Sequence, residues 1–186
     1  MTVFVGGSRR ISRLNDTIRS RADNIVHQKL KVVIGDANGA DKAMQQHFAA
    51  KDYKNVVVYC MGEHWRNNLG NWPTRHISAE RDRKDFAYYA TKDREMANEA
   101  SYGFMIWDGK SKGTLNNILN LLTQRKKVVV YFSDDKECYT LRSLDDLQKL
   151  LSKCSNVDRR RFARELSLGP STSENTHPDL FGVRAN

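Results

Sequence analysis

From Val3 to Phe132 the sequence alternates short, β-prone apolar runs with stretches of helical periodicity, and this limits the fold more than any other feature. Runs at Val3–Gly6, Lys31–Ile34, Asn55–Tyr59, Tyr102–Trp107 and Lys127–Phe132 have strand length, and the continuous Val-Val-Val of the third is of the sort found where a strand is covered on both faces. Between them, Leu14, Ile18, Ala22, Ile25 and Val26 form one helical stripe. Ala40, Ala43, Met44, His47 and Phe48 form a second, and Leu115, Ile118, Leu119 and Leu122 a third. Strand, helix and strand in succession predict a parallel sheet with right-handed crossovers. The expectation is a three-layer α/β fold around a mainly parallel central sheet of about five strands.

Two segments interrupt the alternation. Met61–Ile77 reads as one long loop, marked by Gly62, Asn67, Asn68, Gly70, Asn71 and Pro73, and carries His64, Trp65, Trp72, Arg75 and His76. Loops of that length are more often functional than idle, and a lid over the carboxyl edge of the sheet is expected. Trp65 and Trp72 are open to two roles there, stacking on a base or anchoring the loop. Ala79–Ala100 then reads as a long helix striped by Phe86, Tyr89, Met96, Ala97 and Ala100. Asp93 falls on that stripe, where a carboxylate needs a partner or a ligand.

After Ser133 the character changes. Cys138–Leu141 suits a short edge strand, and Ser143 with Asp146 forms a capping box before a helix striped by Leu144, Leu147, Leu150 and Leu151. Asp158–Leu168 suits a basic helix with Arg159, Arg160, Arg161 and Arg164 outward. The division that follows is a main domain over 1–135, a strand and helix extension over 136–168, and a disordered tail over 169–186, rich in Ser, Thr, Pro, Asn and Gly. The leucine-striped helix is also a candidate contact between subunits of a homo-oligomer.

No apolar run approaches the roughly 20 residues that span a bilayer, so no membrane is expected. The opening Met-Thr-Val-Phe-Val-Gly-Gly suits a first strand better than a signal peptide. Cys60, Cys138 and Cys154 are odd in number and lack paired spacing, which suggests neither a disulfide framework nor a zinc site and fits a reducing cytoplasm. His47, His64 and His76 are not at metal-ligand spacing, and no metal or cofactor is expected. A formal net charge of +9 favours an anionic partner: a nucleotide, a nucleic acid or an acidic protein.

Three loops follow strand carboxyl ends and carry residues suited to phosphate. The first is Gly6-Gly7-Ser8-Arg9, and the second runs from Gly35 through Asp36, Asn38 and Gly39 to Asp41. The third, Asp108 to Thr114 after Trp107, places Gly109, Ser111, Gly113 and Thr114 at a helix start. There backbone N–H groups and the positive end of the helix dipole favour an anion. In an open parallel sheet ligands sit at this edge, where the strand order reverses. None of the loops matches G-x-x-x-x-G-K-[ST], which disfavours P-loop hydrolysis.

Gly-Gly-Ser-Arg after the first strand, Val-Val-Ile-Gly-x-Ala-x-Gly-Ala-Asp after the second and Trp-Asp-Gly-x-Ser-x-Gly-Thr after the fourth resemble the SLOG superfamily of Rossmann-like proteins. The resemblance spans about Thr2 to Phe132 and is nearest the YspA-like branch. The superfamily also includes DNA-processing protein A and the "lonely guy" cytokinin-activating phosphoribohydrolases. The resemblance implies a Rossmann-like fold that binds a nucleotide or a derivative such as an ADP-ribose-like molecule. It implies that Gly6, Ser8, Arg9, Gly35, Gly39, Asp41, Ser111, Gly113 and Thr114 line the ligand. Two departures matter. The phosphoribohydrolases carry a glutamate shortly after the threonine of Pro-Gly-Gly-x-Gly-Thr, whereas Leu115, Asn116 and Asn117 follow Thr114 here. Asp36 also replaces the glycine usual in YspA-like loops.

Asp36 is open to three roles: holding a ribose hydroxyl, attacking an anomeric carbon with help from a second acid, or an Asx turn. Asp41 suits a helix cap or dipole partner as well as a ligand contact. The first functional expectation is a nucleotide-derivative binder. The second is an N-glycosidic bond hydrolase acting on a nucleoside monophosphate, with Asp36, Asp93 and Asp108 as candidate catalytic carboxylates. The third is a binder of single-stranded nucleic acid.

Overall fold

The structure, a computed structural model, describes residues 1–78 and 85–167. Its elements in chain order are β1 (Thr2–Gly7), α1 (Asp16–His27), β2 (Lys31–Gly35), α2 (Ala40–Ala50), β3 (Val56–Met61), β4 (Thr74–Ile77) and α3 (Phe86–Glu99). They continue with β5 (Tyr102–Trp107), α4 (Lys112–Thr123), β6 (Val128–Phe132), β7 (Glu137–Leu141), α5 (Leu144–Leu151) and α6 (Asn156–Ser167). All seven strands join one sheet in the order β4-β3-β2-β1-β5-β6-β7. Every pairing is parallel except β6 with β7. This is a Rossmann-like three-layer α/β fold.

Side chains alternate across the pleat, which divides the core into two halves. Val3, Val5, Val32, Ile34, Phe104 and Ile106 face α1 and α2 on one side. Phe4, Val33, Tyr59, Met105, Trp107, Val130 and Phe132 face α3, α4, α5 and Phe162 of α6 on the other. The helices begin where local chemistry starts them. Asn15 accepts the N–H of Ile18 at 3.0 Å, Asp85 that of Tyr88 at 3.0 Å, and Ser143 and Asp146 close a capping box.

Several expectations change. Among the described residues the sheet has seven strands rather than about five. The Met61–Ile77 segment is not loop throughout, because its last four residues are β4, paired parallel with β3 through Val58↔Thr74 to Met61↔Ile77. Thr-Arg-His-Ile has no apolar run to announce a strand; the exposed edge of β3 recruits it. The helix expected over Ala79–Ala100 is described from Phe86, and residues 79–84 lie outside the described residues, as does the expected tail over 169–186. Phe86 is exposed rather than on the buried stripe, which runs instead through Lys92, Met96 and Ala97. The stripe of α5 is spent within the chain, with Leu147, Leu150 and Leu151 buried in the same core half as Trp107. Among the described residues no helix is long and apolar enough to cross a membrane.

From β1 the chain steps outward through β2 and β3 to β4. It then returns over the opposite face through α3 to β5, on the other side of β1. The order therefore reverses between β1 and β5, and the loops after these two strands diverge to opposite faces. That divergence opens a crevice at the carboxyl edge.

Candidate functional site

A cavity of about 490 Å³ occupies this crevice. The loop after β1 supplies Ser8, Arg9 and Arg10, and α2 supplies Asp41 from its first turn. One flank of α3 contributes Tyr89, Lys92, Asp93 and Met96, and the loop and first turn after β5 contribute Asp108, Ser111, Gly113 and Thr114. Of the residues expected from sequence to bind or react, Gly6, Gly7, Ser8, Arg9, Asp41, Asp93, Asp108, Ser111, Gly113 and Thr114 are brought together here.

The loop after β5 differs from a bare phosphate cradle. Asp108 Oδ1 accepts the N–H groups of Lys110 at 3.1 Å and Ser111 at 2.8 Å, and its Oδ2 accepts the Ser8 hydroxyl at 2.8 Å. The chain's own carboxylate thus takes donors that an external anion would use, and it ties the β1 loop to the β5 loop. Ser111 caps α4 by accepting the N–H of Thr114 at 3.3 Å. Beside Gly113, which lines the cavity, there is free space: a Cβ there would meet no atom within 4 Å.

The floor of the cavity is a buried charge cluster. Lys92 Nζ lies 2.9 Å from Asp93 Oδ1, and Asp41 Oδ2 accepts the N–H of Ala37 at 3.3 Å. A Cβ on Gly35 would lie 2.4 Å from Asp41 Oδ2 and 2.9 Å from Lys92 Nζ, so the missing side chain is what makes room for the cluster. With its amide oriented to satisfy both groups, Asn117 donates to Asp93 Oδ2 and to the Gly113 carbonyl, each at 3.2 Å. Burial pushes the Asp41 carboxyl up to about 6, with Asp93 and Asp36 adding to the rise while Lys92 and the Ala37 N–H oppose it. Burial also works against the charge of Lys92, but the carboxylates of Asp93 and Asp41 outweigh it and raise its pKa. Lys92 escaped notice in the sequence, although it lies three residues after Tyr89 and four before Met96, on the buried stripe.

The rim is basic and aromatic. The Arg9 guanidinium lies 5.6 Å and that of Arg66 5.4 Å from the centre of the Tyr89 ring, and Lys112 Nζ lies 4.1 Å from that of Phe86. Arg10 and Lys110 complete it.

Six other candidate residues do not line the cavity, each for a visible reason. Asp36 is 2% exposed and engaged by Arg66, whose Nη2 donates to Oδ1 at 2.6 Å and whose Nε and backbone N–H donate to Oδ2 at 3.1 Å. Burial alone would raise its pKa, and the hydrogen bonds and charge of Arg66 lower it overall. Asn38 Oδ1 accepts from the Asn67 amide at 3.1 Å. Gly35 houses the ion cluster. Gly39 has φ of +83°, and a Cβ there would lie 2.3 Å from the Arg9 carbonyl oxygen. Trp107 is fully buried against Phe132 and Phe162, and Gly109, with φ of +68°, packs on Phe132 and Cys154. The loop after β3 therefore docks through Arg66 and Asn67 onto the loop after β2, and only Arg66 of the two reaches the cavity. Trp72 anchors it, donating from Nε1 to the Tyr53 carbonyl at 2.7 Å, while Trp65 lies exposed beside His76.

Arg161 of α6 was expected outward, yet its Nη2 donates to the Lys110 carbonyl at 2.5 Å, so α6 braces the β5 loop. His47 pairs with Asp23 at 2.8 Å, away from the site. Among the described residues no group of three His, Cys, Asp or Glu side chains is placed to hold a metal ion.

No protein-family model matches the sequence, and neither does any curated protein. Among solved structures, DNA processing protein A from Helicobacter pylori, described for its unique single-stranded DNA binding mode, is similar with a TM-score of 0.55 and 16% sequence identity. The match covers 90% of this chain and 80% of that one, and at this identity it establishes a related fold.

Proposed function

We propose that this protein binds a nucleotide or nucleotide derivative in the crevice between β1 and β5. One observation carries the reading. The cavity of about 490 Å³ coincides with the point where the strand order reverses, and Gly113 at the start of α4 lines it with free space where a side chain would stand. The volume falls within the roughly 300–1,000 Å³ range of small-molecule pockets. A ligand phosphate at Gly113 meets the positive end of α4 and the cations of the rim. The resemblance of the three loops to the SLOG superfamily agrees with this. The second expectation, N-glycosidic hydrolysis with Asp36 as nucleophile, finds less support, because Arg66 engages both oxygens of that carboxylate.

The test is calorimetric titration with nucleoside mono- and diphosphates, ADP-ribose and NAD, paired with thermal unfolding. A true ligand at a hundred times its Kd adds about 2.7 kcal/mol of stability, and Arg9→Ala weakens its binding. Failure of the whole panel to bind or to shift unfolding refutes the reading.

A second reading, single-stranded DNA binding, draws on the basic rim of Arg9, Arg10, Arg66 and Lys110 and on the ligand named for the Helicobacter pylori structure. It requires an affinity for oligonucleotides that falls steeply with salt as phosphate contacts release counterions. Absent or salt-independent binding removes it.

A further inference from the structure

We propose that the Asp41–Lys92–Asp93 floor reads the 2′,3′-diol of a ribose, so that the ligand is a ribonucleotide and not a deoxyribonucleotide. The inference rests on the nucleotide reading above and deepens it.

The chemistry of the floor is specific. Carboxylates accept hydrogen bonds, an ammonium only donates, and a vicinal diol does both at two adjacent oxygens. Asp93 and Lys92 present an acceptor and a donor side by side, 2.9 Å apart. Asp41 adds a second carboxylate on the opposite element, α2, where its Oδ2 and the Lys92 ammonium crowd the same point beside Gly35. All three side chains line the cavity although Asp41 and Lys92 are only 7% and 4% exposed. Lys92 is paired with Asp93, whereas the Asp41 carboxylate accepts the Ala37 N–H at 3.3 Å, and a charge buried this deeply is costly to keep without strong partners. The floor is kept at a further cost to the chain, because Gly35 must forgo a side chain for it.

Position selects the sugar over the base. Asn117 bridges Asp93 Oδ2 and the Gly113 carbonyl with two contacts of 3.2 Å, so the floor lies within one side-chain amide of the first turn of α4. In a nucleotide the group next to the 5′-phosphate is the ribose. A phosphate held at Gly113 therefore brings hydroxyl groups to the floor and leaves Tyr89 and Phe86 as the wall nearest a base.

The experiment titrates the full chain with AMP, GMP, CMP and UMP and with the 2′-deoxy counterpart of each. The expected result is a ten- to hundredfold weaker affinity for the deoxy form of whichever base binds, the range set by losing a hydrogen bond to a charged group. Asp93→Asn is expected to collapse that ratio to within about threefold while binding of the deoxynucleotide persists. The wild-type ratio decides the matter even if that variant does not fold. Equal affinity, or tighter binding of the deoxy form, overturns the assignment while the nucleotide reading stands. Selection among bases without selection between sugars gives the floor to the base and overturns it as well. If no nucleotide binds, the parent reading falls and this assignment falls with it.

Discussion

Replacing Asp41 with Asn tests the buried cluster without any ligand. Asp41 is 7% exposed, and its carboxyl is raised from 3.8 to about 6 in the fold. A carboxyl raised on folding binds its proton more tightly in the native state than in the unfolded chain. Stability from this group is therefore greatest below pH 3.8, falls as pH rises from there to about 6, and is level above. At about 1.4 kcal/mol per pH unit, the ionised form costs the fold about 3 kcal/mol at pH 7.5. Asparagine has the shape of the protonated acid and does not titrate. Asp41→Asn is thus expected to unfold with a free energy up to about 3 kcal/mol higher than wild type at pH 7.5, a figure that already includes the attraction of Lys92. The advantage shrinks toward zero near pH 4. Urea unfolding of both proteins at half-unit steps from pH 4 to 8 gives the difference directly, and titrating groups outside the cluster cancel in the subtraction. A variant less stable than wild type at pH 7.5, with no change in the difference across that range, would refute the reasoning. It would show a carboxylate held ionised by Lys92 and essential to the cluster.

Three further outcomes follow from the geometry. Arg66→Ala strands the buried Asp36 carboxylate, and because 39% of the Arg66 side chain faces solvent the loss is about 1–3 kcal/mol. Since Arg66 lowers the pKa of Asp36, that loss is full above pH 3.8 and disappears as pH falls through the lower folded value, which acid titration of both proteins in urea will follow. Gly39→Ala places a Cβ 2.3 Å from the Arg9 carbonyl oxygen at a φ of +83°, and calorimetry should show at least about 2 kcal/mol of destabilisation. Gly113→Ala meets no atom within 4 Å, so its thermal midpoint should stay level or rise by the equivalent of up to about 1 kcal/mol. The same change should weaken nucleotide binding in titration by crowding the ligand against α4.

The contrast between Gly39 and Gly113 shows how far the sequence can be read. Both look like phosphate-loop glycines, but one is required by a carbonyl that arrives from another loop and the other is open. Asp36 and Asp93 read alike as carboxylates near strand ends or buried stripes. Only the fold shows that Arg66, thirty residues along the chain from Asp36, closes one of them, while Lys92 holds the other at the cavity floor. β4 was illegible for a similar reason, since four residues, none of them buried, become a strand only beside β3.

What the sequence determined by itself was local and periodic. Five apolar runs spaced by helical stripes required a layered parallel sheet, because each pattern buries its apolar side chains only in that arrangement. The three polar loops were likewise bound to emerge at the carboxyl ends of strands. Which of them meet was decided by tertiary structure alone. The reversal of strand order between β1 and β5 brings Ser8, Asp41, Lys92, Asp93 and Gly113 to one crevice, and the docking of Arg66 draws Asp36 out of its wall. Spacing along a chain carries no record of a distance that closes only when the sheet assembles.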